Sequence, residues 1–243
     1  MKIIKPILLV VAVIVVTAIA YLIYRELMIE RQNYYQGDPS LHFDTVKSTA
    51  INPATLLDDI RGGKKLVLQV QKDTPDNPPF IMPIGWSQND FLEVAQAYQQ
   101  VIWQDDPYLW HLYGVEFHTT CDNASGKFGM AEFYYYQAIT KGGENLYSVR
   151  AIEIEPEYGY LAWYEDGIIS RSRFGTLTEI NMENITKIPA EKALPLADQR
   201  GGNDYRKKEN NICNISVFMT PERSDWSVIY SGKTSLQFWI PTK

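Results

Sequence analysis

The chain has 243 residues, of which 45% are hydrophobic and 13% aromatic, and its formal net charge at pH 7 is −6. A chain of this length and apolar content can bury a sizeable core, which excludes a disordered protein. The acidic balance argues against nucleic acid as a partner, because phosphate backbones bind to basic surfaces. The sequence also offers no motif that predicts a cofactor or a metal ion.

Residues 1–29 are predicted to form a transmembrane anchor. The stretch from Pro6 to Tyr24 carries no charge and approaches the roughly 20 residues that cross the hydrocarbon core of a bilayer. A signal peptide cleaved after Ala18-Ile19-Ala20 is the alternative. The apolar run continues beyond that site, which favours an uncleaved anchor.

The charges beside this segment predict its orientation. Lys2 and Lys5 precede it without an acidic residue, whereas Arg25 and Arg31 follow it among glutamates. Positive residues concentrate on the cytoplasmic side of membrane spans. We therefore expect a single-pass protein of the cell membrane, with its N-terminus in the cytoplasm and its body outside.

The rest of the chain divides into a polar stalk, residues 30–49, and an extracytoplasmic α+β body, residues 50–243. In the body, Asn52-Pro53 begins a short helix, and residues 66–71 alternate as a strand. A longer helix with one apolar stripe begins at Ser87, because Asp90 can complete a capping box.

Three strands follow this helix, at about residues 110–120, 128–139 and 146–154. Short turns that contain glycine separate them, and such turns join antiparallel neighbours. Residues 161–164 continue the same pattern. This part of the body is therefore predicted to be an antiparallel meander.

The last third begins with a weaker helix over residues 189–199 and continues with three strands, at residues 212–219, 225–230 and 235–240. The last two strands form a hairpin around Ser231-Gly-Lys-Thr, since apolar residues alternate on both sides of that turn. The turn does not match a phosphate-binding loop, because a strand and not a helix follows it. The element order predicts an α+β fold in which helices pack on one face of antiparallel sheets.

The segments "IPAEKALPLADQRGG", "NISVFM", "DWSVIYSG" and "LQFWIP" resemble the PepSY domains of bacterial envelope proteins. The resemblance spans Ile188 to Pro241, within a subregion that we place at residues 186–243. PepSY domains combine a short helix, a strand, a strand of the W.V.Y kind and a final strand. The resemblance implies an extracytoplasmic, non-enzymatic module that inhibits or modulates other envelope proteins.

Cys121 and Cys213 are the chain's two cysteines, and both fall in the predicted extracytoplasmic body, where disulfides persist. Each shares its strand parity with apolar residues, so the two thiols can meet on one face. We expect a disulfide between them, with two buried free thiols as the alternative. A bridge would require the two halves of the body to pack face to face or to form one sheet.

Two groups of polar residues invite a catalytic or metal hypothesis. Glu116, His118 and Cys121 lie close in sequence, but strand parity separates the cysteine from the other two, so we expect a solvated histidine. Glu153 and Glu155 are the candidate acids of a glycan hydrolase, with Tyr158, Tyr160 and Trp163 as a stacking surface. We expect instead that these acids, with Glu157, are the water-facing side of an ordinary half-buried strand, as a solvated edge, because Ile152 and Ile154 take the opposite parity.

The sequence favours a membrane-anchored, non-enzymatic binding or modulator protein with a protein partner in the envelope. The motifs of serine hydrolases, zinc peptidases and dinucleotide-binding enzymes are missing from the chain. Two alternatives stay open: a glycan hydrolase that uses Glu153 and Glu155, and a structural subunit of a membrane complex.

Overall fold

The computed structural model describes residues 43, 45–72, 85–103, 109–123, 126–170, 177–220 and 223–242. The predicted anchor and the first part of the predicted stalk lie outside these residues. Within the described ranges, no helix combines the length and hydrophobicity of a membrane span.

The strands are β1 (Thr45–Ala50), β2 (Gln71–Lys72), β3 (His111–Thr120), β4 (Met130–Lys141), β5 (Glu144–Glu155), β6 (Tyr160–Ser170), β7 (Asn214–Thr220), β8 (Arg223–Ser231) and β9 (Ser235–Pro241). The helices are α1 (Leu56–Arg61), α2 (Gln88–Ile102), α3 (Met182–Lys187), α4 (Ala190–Ala197) and α5 (Asn203–Lys208). A 3-10 turn, Pro156–Tyr158, joins β5 to β6.

All these strands belong to one sheet in the order β2-β1-β6-β5-β4-β3-β7-β8-β9, and the pairs are antiparallel. Two meanders, β3 to β6 and β7 to β9, form most of the sheet, and β1 and β2 extend it beyond β6; each meander follows a helical segment. The first strands of the two meanders, β3 and β7, pair with each other. The prediction of an α+β fold with antiparallel strands is confirmed.

The predicted disulfide is confirmed and lies where the two meanders join. Cys121 directly follows the end of β3, and Cys213 directly precedes the start of β7, with which β3 pairs. The Cα atoms of the two cysteines are 5.1 Å apart. The Cys121 N–H also donates to the Cys213 carbonyl at 2.8 Å. Of the two arrangements that a bridge allows, the structure has the continuous sheet.

The core lies between one face of the sheet and the helices. The described helices contribute buried residues to a cluster that also contains alternate residues of β3 to β9. From α2 and α4 these are Phe91, Leu92, Val94, Ala95, Tyr98, Ala190, Ala193, Leu194 and Ala197. Each large side chain that is fully buried here stabilises the fold by about 1.5–3 kcal/mol.

The predicted start of α2 is confirmed at atomic detail. The Ser87 side chain accepts from the Asp90 N–H, and the Asp90 carboxylate accepts from the Ser87 N–H at 2.9 Å. This capping box satisfies two backbone donors at the helix start. The apolar stripe of α2 then faces the sheet, as its spacing predicts.

Three secondary-structure elements differ from the sequence-based expectation. Residues 45–49, assigned to the stalk, form most of β1, which pairs with β6. Residues 66–70 are not a strand, and only Gln71–Lys72 pair, with β1. The helix expected to end near Gly201-Gly202 is interrupted there, because Gly201 adopts a non-helical φ of 123°, but a further helix that the sequence did not predict, α5, begins at Asn203.

The C-terminal hairpin matches its prediction residue by residue. Tyr230 pairs with Leu236 and Val228 with Phe238. The turn is also tied to the end of α5, since the Lys233 N–H donates to the Glu209 carboxylate at 3.2 Å. This contact explains why the Gly-Lys-Thr tripeptide is a structural turn.

Candidate functional site

A row of glutamates crosses the face of the sheet opposite the core cluster, which we call the second face. Glu116 on β3 pairs with Glu132 on β4, and Glu132 pairs with Glu153 on β5. Glu155 lies two residues further along β5, on the same face. We call these four residues the carboxyl cluster. Like charges directly opposite each other destabilise a sheet, so this arrangement calls for compensation.

Tyrosine hydroxyls supply part of that compensation. Tyr160 and Tyr164 donate to the two oxygens of Glu153, at 2.9 and 2.6 Å, and Tyr134 donates to Glu132. Gly114 makes room for the Tyr134 ring, because a Cβ at that position would lie 3.3 Å from it. Three neighbouring strands therefore build one network of hydroxyl donors and carboxyl acceptors.

Glu116 is the buried member of the carboxyl cluster, whereas Glu132, Glu153 and Glu155 are half-buried. Glu116 is only 9% exposed, and burial, followed by repulsion from Glu132, raises the pKa of Glu116 to about 8. Burial also raises the pKa of Glu155 to about 7, with a contribution from Glu153. Burial raises the pKa of Glu132 as well. At neutral pH, part of the cluster is therefore neutral and holds protons.

His118 on β3 completes the cluster from the side of β7. Its Nδ1 lies 3.2 Å from the Ser216 hydroxyl, and its Nε2 lies 3.6 Å from Glu116 and 3.7 Å from Glu132. The Nε2 atom is buried and makes no hydrogen bond. Burial lowers the pKa of His118 to about 4, which keeps the ring neutral beside the protonated Glu116.

The structure changes the interpretation of these residues. His118, expected to be solvated, keeps 30% of its side chain exposed, but its Nε2 atom is buried between two carboxyl groups. Glu153 and Glu155 do not lie on an exposed edge, because β5 has β4 on one side and β6 on the other. Glu157 belongs to the 3-10 turn that follows β5. Cys121 lies in the disulfide, away from this network.

The geometry does not favour the glycan hydrolase. Both oxygens of Glu153 accept from tyrosine hydroxyls within the sheet, whereas the two carboxyl groups of a glycosidase flank the bond that is cleaved. Of the expected stacking residues, Tyr158 is exposed, Tyr160 is bound to Glu153, and Trp163 is buried in the core cluster. The three rings do not form one surface.

The carboxyl cluster can store and exchange protons, but it offers no evident nucleophile. Among the described residues, no group of three or more histidine, cysteine or acidic side chains is arranged to hold a metal ion. Glu132 and Tyr134 were not singled out from the sequence. One signal was present, since "FYYY" at residues 133–136 places aromatic rings on both faces of β4 and so predicts that both faces are covered.

A second feature is a cleft of about 490 Å³ between α2, the start of β3 and the residues before α3. Gln96 lines it from α2, and Trp110 lines it from the chain before β3. At its rim, His111 and Glu179 pair at 3.2 Å. The volume lies in the range of about 300–1,000 Å³ that is usual for ligand pockets.

No protein-family model, curated protein sequence or solved structure matches this chain. The functional inference therefore depends on the sequence and the geometry alone.

Proposed function

We propose that the chain is a membrane-anchored, extracytoplasmic and non-enzymatic binding or modulator protein. The observation that carries this proposal is the disulfide between Cys121 and Cys213. Such bonds persist outside the cytoplasm, whereas cytosolic thiols are kept reduced. A body built around this bond fits the location that the apolar segment Pro6 to Tyr24 and its flanking charges predict.

Two further features support a binding role. The cleft beside α2 has the size of a ligand site and combines amide, aromatic and ionisable side chains. The C-terminal elements, α4 and α5 followed by β7, β8 and β9, have the order that the resemblance to PepSY domains implies. The binding role is therefore assigned to the body, and the N-terminal segment serves to hold the body at the membrane.

The topology is tested by protease treatment of intact cells and spheroplasts that produce the full chain. We expect residues 50–243 to be digested as soon as the outer surface of the membrane is reachable, with a cytoplasmic protein left intact as the control. Digestion that begins only after the membrane is opened would refute the extracytoplasmic location.

The binding role is tested by exchanging the anchor. A binding protein acts through its body, so replacing residues 1–29 with an unrelated single span should preserve the complexes that native gels resolve from membranes. Loss of those complexes would instead support the structural subunit, in which the membrane helix makes specific contacts.

A pair of charge substitutions on α2 asks whether the cleft takes part. Gln96 and Asn89 are both exposed on this helix, but only Gln96 lines the cleft. Gln96→Arg should remove the native complex, and Asn89→Arg should leave it unchanged. Equal effects of the two substitutions would exclude the cleft as the binding surface.

A further inference from the structure

His118 is the basic residue in contact with the carboxyl cluster in the described part of the chain. Burial keeps that ring neutral. Arg150, which is on β5 as well, lies over the ring of Trp110 at 4.1 Å, on the core side of the sheet. An ionised cluster would therefore hold several negative charges together in a region of low dielectric.

The groups that face the cluster come from five strands. Besides the four glutamates and His118, they are Tyr134 on β4, Tyr160 and Tyr164 on β6, and Ser216 on β7. Each tyrosine donates its hydroxyl proton, and its own pKa is raised by burial and by the neighbouring carboxylates. These hydroxyls can stabilise some negative charge, but none of them can neutralise it.

The number of donors limits how many carboxylates the network can hold. Glu153 accepts from two tyrosines, and Glu132 accepts from one. Glu155 pairs across the strands with Tyr160, whose hydroxyl donates to Glu153, and Glu116 lies 3.6 Å from the Nε2 atom of His118, which makes no hydrogen bond. Glu116 and Glu155 are therefore the members with the weakest support for a negative charge.

We propose that the second face is a proton-controlled latch: β3, β4 and β5 stay tightly paired while Glu116 and Glu155 carry protons, and their pairing loosens and admits more water when both ionise. Cross-strand repulsion between β3, β4 and β5 drives the opening, because Glu116, Glu132 and Glu153 pair directly across these strands. The open state lets water reach the carboxylates, which relieves the cost of their burial.

The latch opens between about pH 6 and pH 9, since the pKa values of Glu155 and Glu116 are about 7 and about 8. The body would thus be closed in acid and more open in alkali. The inference goes beyond the proposed function and does not depend on the location of the body. A cytoplasmic body would overturn the proposed function and leave the latch intact.

Hydrogen exchange of the full chain in detergent micelles tests the latch. Exchange is followed by mass spectrometry at pH 6 and pH 9, after correction for the intrinsic effect of pH on exchange. We expect peptides from β3 and β4 to lose protection at least tenfold at pH 9, whereas peptides from β8 and β9 keep theirs.

The variant Glu116→Gln/Glu155→Gln keeps both groups neutral, so its β3 and β4 peptides should remain protected at pH 9. Glu179→Gln, at an exposed position, is the matched control and should behave as the wild type does. Equal loss of protection in the wild type and the double variant would overturn the proposal, as would a wild type that keeps full protection at pH 9.

A second measurement covers the case in which the double variant does not fold. Carbon-13 spectra of the wild-type chain with labelled glutamate carboxyl groups should show two groups that titrate between pH 6 and pH 9. The loss of protection should follow the same titration. Carboxyl groups that all titrate below pH 5.5 would contradict the latch.

Discussion

Glu116 is the residue at which sequence and environment conflict most, because a charged side chain occupies a buried position between Glu132 and Phe218. An isolated buried carboxylate is costly, and the usual outcome is a raised pKa rather than a buried charge. The residue is thus tolerated because the proton removes the charge. The stability of the fold must then depend on pH.

We predict that Glu116→Gln makes the body more stable at high pH and changes it little in acid. In the folded state Glu116 keeps its proton up to a pKa of about 8, compared with 4.5 for the ordinary residue. Its contribution is therefore fully present below pH 4.5 and is lost as the pH rises through 8. The glutamine avoids this loss, which is on the order of a few kcal/mol.

Urea denaturation of the full chain at pH 5 and pH 9 measures this difference. The urea concentration at the midpoint of unfolding should be lower at pH 9 than at pH 5 for the wild type. The decrease should be smaller for Glu116→Gln. The folded pKa of His118 is about 4, below its ordinary 6.5. Burial of this residue therefore lowers the stability of the body as the pH falls below 6.5, which is the opposite pH dependence to that of Glu116. Identical pH profiles for the variant and the wild type would contradict the burial of Glu116.

The sequence alone identified Glu153 and Glu155 as candidate functional residues, but it did not predict which residues surround them. A period of two places them on one face of a strand, and it does not reveal whether that face is covered. The carboxyl cluster exists only because the strand register places Glu116, Glu132 and Glu153 side by side. Register across strands depends on the whole sheet, so no local pattern could have shown it.

At the scale of single elements, α2 is the part whose local signals were strongest. Ser87, Asp90 and the apolar stripe define its start and its buried face without reference to the rest of the chain. β1 is the opposite case. It pairs with β6, more than a hundred residues later, and its own sequence carries no clear alternation that could have identified it.

We predict that Ser87→Ala destabilises the body by about 1 kcal/mol, because the substitution removes the side chain that caps α2. Asn89→Ala, at an exposed position in the same first turn, should change the stability by less than about 0.5 kcal/mol. Thermal or urea denaturation of both variants measures the difference. Equal effects would show that the capping box does not contribute.

An ion pair joins Asp198, which follows α4, to Arg206 on α5, and substitutions can test its contribution to stability. Arg206 pairs with Asp198 at 2.7 Å, and Asp198 accepts from the Tyr230 hydroxyl at 2.7 Å. Arg206 is buried, and it also donates to the Cys121 carbonyl at 3.3 Å. These contacts link the segment between α4 and α5 to β8, and α5 to the backbone of Cys121.

We predict that Arg206→Met destabilises the body by about 3–5 kcal/mol, since it leaves the Asp198 carboxylate without its partner. Adding Asp198→Asn should recover a large part of this loss, because the uncompensated charge is then removed. A double variant that is as unstable as the sum of the two single variants would show that the residues do not interact. Denaturation of all three variants completes the cycle.

For the whole molecule, both edges of the described sheet carry features that discourage pairing with another chain. β2 has only two residues, Gln71–Lys72, and β9 ends at Pro241, which lacks an N–H. Arg200 also donates to the Trp239 carbonyl at 2.8 Å. A short edge strand, a proline without an N–H and a carbonyl that already accepts a hydrogen bond each discourage pairing with another chain.

The disulfide joins the two meanders into one unit, and its removal should affect the whole body. We predict that Cys121→Ser/Cys213→Ser lowers the free energy of unfolding by about 2–5 kcal/mol, as expected for a long closed loop. The melting curve should keep a single transition at a lower temperature, because β3 and β7 still pair. Two separate transitions would show that the meanders unfold independently.

The disulfide was the long-range feature that the sequence could predict, since two cysteines allow only one pairing within the chain. The β3 and β7 pairing beside it was one of two arrangements left open, because a bridge fixes the distance between two points and not the strands around them. The order β2-β1-β6-β5-β4-β3-β7-β8-β9 follows from contacts that no short motif encodes.

The central claim is that this body works outside the cytoplasm, and the state of its cysteines in living cells tests it most directly. Cells that produce the full chain are treated with a membrane-permeant alkylating reagent and then denatured, and the cysteine peptides are identified by mass spectrometry without reduction. We expect the Cys121 and Cys213 peptides to be linked and unmodified, with a known cytoplasmic thiol protein fully alkylated in the same sample. Recovery of Cys121 and Cys213 as separate alkylated peptides would place the body in a reducing compartment and contradict the account.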